Sequence, residues 1–125
     1  MNIVDSSGWL EYFADAPNAA FFAPALEDMA KLLIPVISIY EVFKRVLQQQ
    51  GEQKALEVIA VMMQGRILEL DVTTALSAAK LSSELKLPMA DSLILAAARQ
   101  HQALLWTQDI DFASMDDVKY VSKQP

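Results

Sequence analysis

Four carboxylates carry the chemistry that this sequence could perform. Asp5, Glu41, Asp91 and Asp109 each fall just beyond an apolar run or in the opening turn of the helix-patterned stretch that follows one. Singly, each has a structural explanation. Asp5 can cap the helix after the first apolar run, because a carboxylate accepts free backbone N–H groups there. Ser38-Ile39-Tyr40-Glu41 fits the Ser-x-x-Glu capping box. Asp91 follows Pro88 in a first helical turn, where the helix dipole favours a negative charge, and Asp109 can cap the short turn through Phe112. Together they imply more. In parallel α/β sheets the carboxyl ends of all strands share one edge, and ligands bind there. Acids converging on that edge repel one another and raise each other's pKa values unless cations lie among them. An all-oxygen donor set without histidine or cysteine suits Mg²⁺ or Mn²⁺. Ions held with open coordination positions can activate water and stabilise an in-line phosphoryl displacement, so the chemistry expected is metal-dependent phosphodiester hydrolysis.

The elements that must position these acids follow from hydrophobic periodicity. Strands are predicted at Asn2–Val4, Leu32–Ile37, Arg66–Asp71 and Ala103–Trp106, with a weaker fifth at Val118–Val121. Helices are predicted from Trp9 to Phe13, from Ala19 to Lys31 with Pro24 kinking or splitting it, and from Ser38 to Gln50. Three more are predicted over Glu52–Gln64, Thr73–Lys86 and Met89–His101, the last so apolar around Leu93–Ala98 that it should be buried. Short apolar strands separated by helices imply right-handed parallel crossovers. The expected fold is a three-layer α/β/α sandwich around a mainly parallel sheet of four to five strands.

Composition narrows the alternatives. A length of 125 residues suits one domain, here residues 1–125. The absence of cysteine excludes disulfides, thiolate zinc sites, iron–sulfur clusters and cysteine nucleophiles. The longest stretch free of charged residues, Ala16–Leu26, has 11 residues and two prolines, short of the roughly 20 that a membrane span needs. With no basic, apolar leader at Met1–Asp5, a cytoplasmic protein is expected. The net charge of −6 argues against holding nucleic acid by bulk charge, so such a partner would need metal ions or a local basic patch. Gly-x-Gly-x-x-Gly and Gly-Lys-Ser/Thr phosphate loops are absent, which removes support for dinucleotide and P-loop enzymes.

Four segments also carry a family resemblance: Asp5-Ser6-Ser7, the helix headed by Ser38-x-x-Glu41, Leu87-Pro88-Met89-Ala90-Asp91-Ser92-Leu93-Ile94-Leu95-Ala96, and Thr107-Gln108-Asp109-Ile110-Asp111-Phe112. Their order and spacing resemble the PIN-domain nucleases over nearly the whole chain, and VapC-type toxins of toxin–antitoxin pairs in particular. The resemblance implies an Mg²⁺- or Mn²⁺-dependent endoribonuclease inhibited by a cognate antitoxin whose C-terminal segment occupies the active-site groove. It maps the family's core acids onto Asp5, Glu41, Asp91 and Asp109, with Asp111 as a further acid near the metal. In that scheme Asp5, Glu41 and Asp91 hold the principal metal, directly or through water. Asp109, with Asp111, orients a second metal or the attacking water, while Ser6 and Thr107 hydrogen-bond ligands or the scissile phosphate. The resemblance also implies a homodimer.

Several other residues invite a role. Lys44, Arg45 and Arg99 are candidate RNA-phosphate contacts, against a solvated face or an ion pair. His101, the single histidine, fits a helix C-terminus better than a general base. Trp9 and Trp106 could stack on bases but fit core packing, and Met62 and Met63 fit core or interface filling. Adjacent Phe21 and Phe22 point different ways on a helix and are hard to bury together, which suggests a surface for a second subunit or an antitoxin helix. Two rival functions remain: a phospho-acceptor domain like signalling receivers, and a catalytically silent PIN scaffold.

Overall fold

The computed structural model describes residues 1–125. Strands β1 (Asn2–Val4), β2 (Leu33–Pro35), β3 (Arg66–Leu68), β4 (Leu104–Thr107) and β5 (Val118–Tyr120) alternate with helices α1 (Ser6–Phe13), α2 (Ala19–Leu26), α3 (Val36–Gln50), α4 (Glu52–Met62), α5 (Val72–Leu85) and α6 (Met89–Gln100). Single 3₁₀ turns cover Met29–Lys31 and Ile110–Phe112. Every strand pairing is parallel: β1 with β4, β4 with β5, and β2 with β3. A parallel bridge between Asn2 and Leu32 joins the two sets, giving the spatial order β3-β2-β1-β4-β5. The chain therefore reverses its direction across the sheet between β1 and β4, and the crevice at such a switch point is where ligands bind in this architecture. Receiver domains follow the order 2-1-3-4-5 instead, so the phospho-acceptor expectation does not hold.

Strand periodicity sorts the core into two layers. Val4, Ile34 and Trp106 face one helical layer with Trp9, Phe22, Val42, Val46 and Met62, while Ile3, Leu33 and Leu105 face the other with Leu87, Ile94, Leu95 and Phe112. Burying each such large side chain contributes about 1.5–3 kcal/mol. Both tryptophans are core residues, as the packing reading expected. The Phe21–Phe22 expectation is corrected: Phe22 is fully buried and Phe21 is half-buried, its ring 5.4 Å from that of Trp106. Both side chains join the same layer, Phe22 within its core and Phe21 packed against it. No helix is long and apolar enough to cross a membrane.

Several element boundaries differ from the sequence reading: α1 opens at Ser6 rather than Trp9, and β4 runs on to Thr107. Val36 and Ile37, expected to extend the second strand, open α3 instead, with the extended Pro35 as its N-cap. Ser38 is thus inside the helix, and the capping box with Glu41 does not form. Glu69 to Asp71 leave the third strand, and Asp71 caps α5 by accepting from the Thr74 N–H at 2.8 Å. The second helix breaks at Glu27–Asp28, past Pro24, which sits within α2.

Candidate metal centre at the carboxyl edge of the sheet

Asp5 follows β1 in extended conformation and caps α1, its Oδ1 accepting from the Gly8 N–H at 2.9 Å and the Ser7 hydroxyl at 3.0 Å. Gly8 is needed for this close approach. A Cβ there would lie 2.5 Å from Val4 Cγ1 and 2.8 Å from the Phe22 ring. Across the switch point, the buried Thr107 hydroxyl ending β4 donates to Asp5 Oδ2 at 2.5 Å and accepts from the Asp109 N–H at 2.9 Å. One side chain therefore fixes both the β1 carboxylate and the loop after β4. Asp109 Oδ1 accepts from the Asp111 N–H at 2.9 Å, forming the cap expected from sequence.

Glu41 lies in the second turn of α3, its Oε1 accepting from the Ser6 hydroxyl at 2.6 Å. Ser38 Oγ, one turn earlier on that helix, is buried without a partner. Asp91 occupies the first turn of α6, after the extended Pro88 N-cap. One carboxylate oxygen from each of Asp91, Asp109 and Asp111 lies within 4.8 Å of the others. That trio differs from Asp5, Glu41 and Asp91, expected to hold the principal metal. Asp5 and Glu41 border the cluster with oxygens already engaged by hydroxyls.

The electrostatics report the crowding. Asp91 is pushed up to about 7 by desolvation, then by the charge and hydrogen bonding of Asp109 and by the charges of Asp5 and Glu41. Burial also raises Asp5, against the opposing hydrogen bonds from Thr107, Gly8 and Ser7, and the Asp109 charge adds to the rise. No lysine or arginine compensates the cluster, because the ion pairs are Lys54–Glu57, Lys80–Glu84 and Arg99–Asp117. Uncompensated oxygen donors held this close fit a hard divalent cation.

A groove of about 530 Å³ opens beside Asp109, lined by Ser7, Gln108, Tyr120 and Lys123 among others. Sequence reasoning missed Gln108, Tyr120 and Lys123; only Gln108 had a signal, its place between Thr107 and Asp109. Of the basic candidates, Lys44 stands over the exposed Tyr40 ring at 5.8 Å. Arg99 lies at the far end of α6 from Asp91, paired at 3.1 Å with Asp117 just before β5, so the structure does not bring it to the acids. His101 is exposed at the α6 C-cap, consistent with its surface reading.

The fold is shared with several solved structures. A toxin–antitoxin complex from Klebsiella pneumoniae is 24% identical with TM-score 0.79, the match covering 95% of this chain and 96% of that one. The Sarcin-Ricin loop cleaving toxin VapC20 of Mycobacterium tuberculosis is 16% identical with TM-score 0.76 over the full length of both chains. FitAcB from Neisseria gonorrhoeae is 23% identical with TM-score 0.73, covering 96% of each. Among curated protein sequences there is no match. The family model for the PIN domain matches residues 3–118, and the chain belongs to the PIN-domain family.

Proposed function

We propose that this PIN domain is an Mg²⁺- or Mn²⁺-dependent endoribonuclease and the toxin of a toxin–antitoxin pair. The observation that carries this reading is the uncompensated cluster of Asp91, Asp109 and Asp111 at the switch-point edge, bordered by Asp5 and Glu41. A cation held there would polarise a scissile phosphate and lower the pKa of a bound water. Asp91, Asp109 and Asp111 would hold it, with Asp5 and Glu41 orienting its water shell. The Ser6 and Thr107 hydroxyls fix Glu41 and Asp5 respectively. A cytoplasmic setting and a cognate antitoxin covering the acidic groove complete the proposal. The antitoxin is supported by the shared fold with chains from toxin–antitoxin complexes. A homodimer is also proposed, with its apolar surface on α5 and Met89 in place of the Phe21–Phe22 pair. The test is cleavage mapping of total RNA with and without Mn²⁺, for the wild type and Asp91→Asn. Discrete metal-dependent cuts lost in Asp91→Asn support the nuclease, whereas unchanged RNA in every arm would establish the silent scaffold.

A further inference from the structure

The 530 Å³ groove beside Asp109 does not end at the acids. A second depression of about 220 Å³ shares Ser7, Gln108 and Lys123 with it and continues to Arg45 and Gln49 on α3. The two form one trough leading away from the metal cluster. Its far wall is set by helix geometry, since residues four apart share a face. Glu41, Arg45 and Gln49 form one stripe, and Tyr40 with Lys44 forms another, so Arg45 continues the Glu41 face whereas Lys44 is held over Tyr40. The other wall is the segment after β5, and it is anchored. The buried Asn18 amide donates to Gln108 Oε1 at 2.9 Å and to the Ser122 carbonyl at 3.0 Å. Glu11, which lines the smaller depression, accepts from the Asn18 N–H at 2.9 Å and from Gln108 Nε2 at 3.4 Å. Lys123, next to that clamp, lies against both depressions, and neither it nor Arg45 forms an ion pair.

We infer that this trough carries single-stranded RNA on one side of the scissile bond, with Lys123 and Arg45 contacting its phosphates and the Asn18–Gln108–Ser122 clamp positioning Lys123. The inference rests on the endoribonuclease reading and adds the path of the substrate. In a chain of net charge −6, two unpaired cations on one path from the acids supply the local basic patch that RNA requires. The exposed Ile110 and the half-buried Tyr120 flank the cluster end, where bases can stack.

The experiment is fluorescence anisotropy of a labelled single-stranded oligoribonucleotide titrated with the full chain in Ca²⁺ at several KCl concentrations, alongside cleavage in Mn²⁺. Each phosphate contact contributes about 0.7 to the slope of log K against log salt for a single strand. Lys123→Gln and Arg45→Gln should each flatten the slope by about 0.7, and the double variant by about 1.4. Lys80→Gln, on α5, should leave it unchanged, and Asn18→Ala should flatten it as Lys123→Gln does. Cleavage rates at saturating enzyme should stay at the wild-type value in Lys80→Gln, which lies outside the trough. Wild-type binding with unaltered slopes in Lys123→Gln and Arg45→Gln, or equal flattening by Lys80→Gln, overturns the substrate path and leaves the nuclease reading standing. A wild type that neither binds nor cuts RNA overturns both.

Discussion

The hydroxyl of Thr107 donates to Asp5 Oδ2 at 2.5 Å across the gap between β1 and β4 and accepts from the Asp109 backbone at 2.9 Å. Thr107→Val keeps the shape but leaves a buried carboxylate oxygen and a backbone N–H without partners. Such a loss costs about 1–3 kcal/mol, and losing a partner that orients a metal ligand lowers metal affinity or activity about 10- to 100-fold. Thr107→Ser keeps the hydroxyl and should restore most of both. Urea unfolding and Mn²⁺ titration calorimetry measure the two effects separately. Wild-type Mn²⁺ affinity in Thr107→Val would show that Asp5 does not need this contact.

Asp91 holds its proton up to about pH 7 in the folded chain, against 3.8 for the unperturbed group. Between those values the folded state binds more protons than the unfolded one, so this group's contribution to stability falls as pH rises. The shift in Asp5 acts in the same direction. Without metal, the Tm difference between Asp91→Asn and wild type should therefore widen in favour of the variant from about pH 4 to pH 7. Added Mn²⁺ should raise the wild-type Tm, more strongly at pH 8 than at pH 5, because the ion displaces the proton. It should leave Asp91→Asn nearly unmoved. A pH-independent Tm difference without metal would show that the crowding is not felt in solution.

Much of this site is legible in the sequence because its acids occupy positions with a local signature. Asp5 follows an apolar run and precedes a helix, Asp91 comes three residues after Pro88, and Asp109 precedes a turn that it caps. The parallel order of the sheet then forces convergence. The Ser38–Glu41 segment shows the opposite case. The β-branched Val36 and Ile37 read as strand, but Pro35 both ends β2 and caps α3, so they open the helix and the apparent capping box is a helix interior. Phe21 and Phe22 are a related case, since periodicity does not show that the Phe21 ring finds Trp106, 85 positions later, to pack on. Lys123 has no local signal at all. Its position depends on Asn18, 105 positions away, reaching the Ser122 carbonyl.

Gly8 sets how closely α1 approaches β1 and hence where Asp5 sits. In Gly8→Ala the added methyl meets Val4 and the buried Phe22 ring, neither of which has room to withdraw. Overpacking of this kind costs about 1–3 kcal/mol. The variant should also lose Mn²⁺ affinity, because the Gly8 N–H that binds Asp5 moves with the helix. Denaturation midpoints and Mn²⁺ calorimetry check both expectations, and unchanged stability would mean that α1 shifts without cost.

An apolar surface on α5 and the start of α6 is the face assigned to the proposed homodimer. Val72, Leu76 and Met89 are 75%, 68% and 71% exposed, and a groove of about 520 Å³ lined by Ala75, Ala79 and Met89 lies among them. Large exposed side chains clustered in this way mark interaction surfaces. A two-fold dimer uses the same patch on both copies, so one substitution alters the interface twice. Leu76→Glu places two like charges in it and should shift light-scattering mass from dimer to monomer, with the unfolding midpoint becoming independent of protein concentration. Because Leu76 is exposed, the monomer's own fold should be unaffected by circular dichroism. The equivalent change at Phe21 should instead unfold the protein, since that ring packs on Trp106. A Leu76→Glu chain that remains dimeric would place the interface on another face.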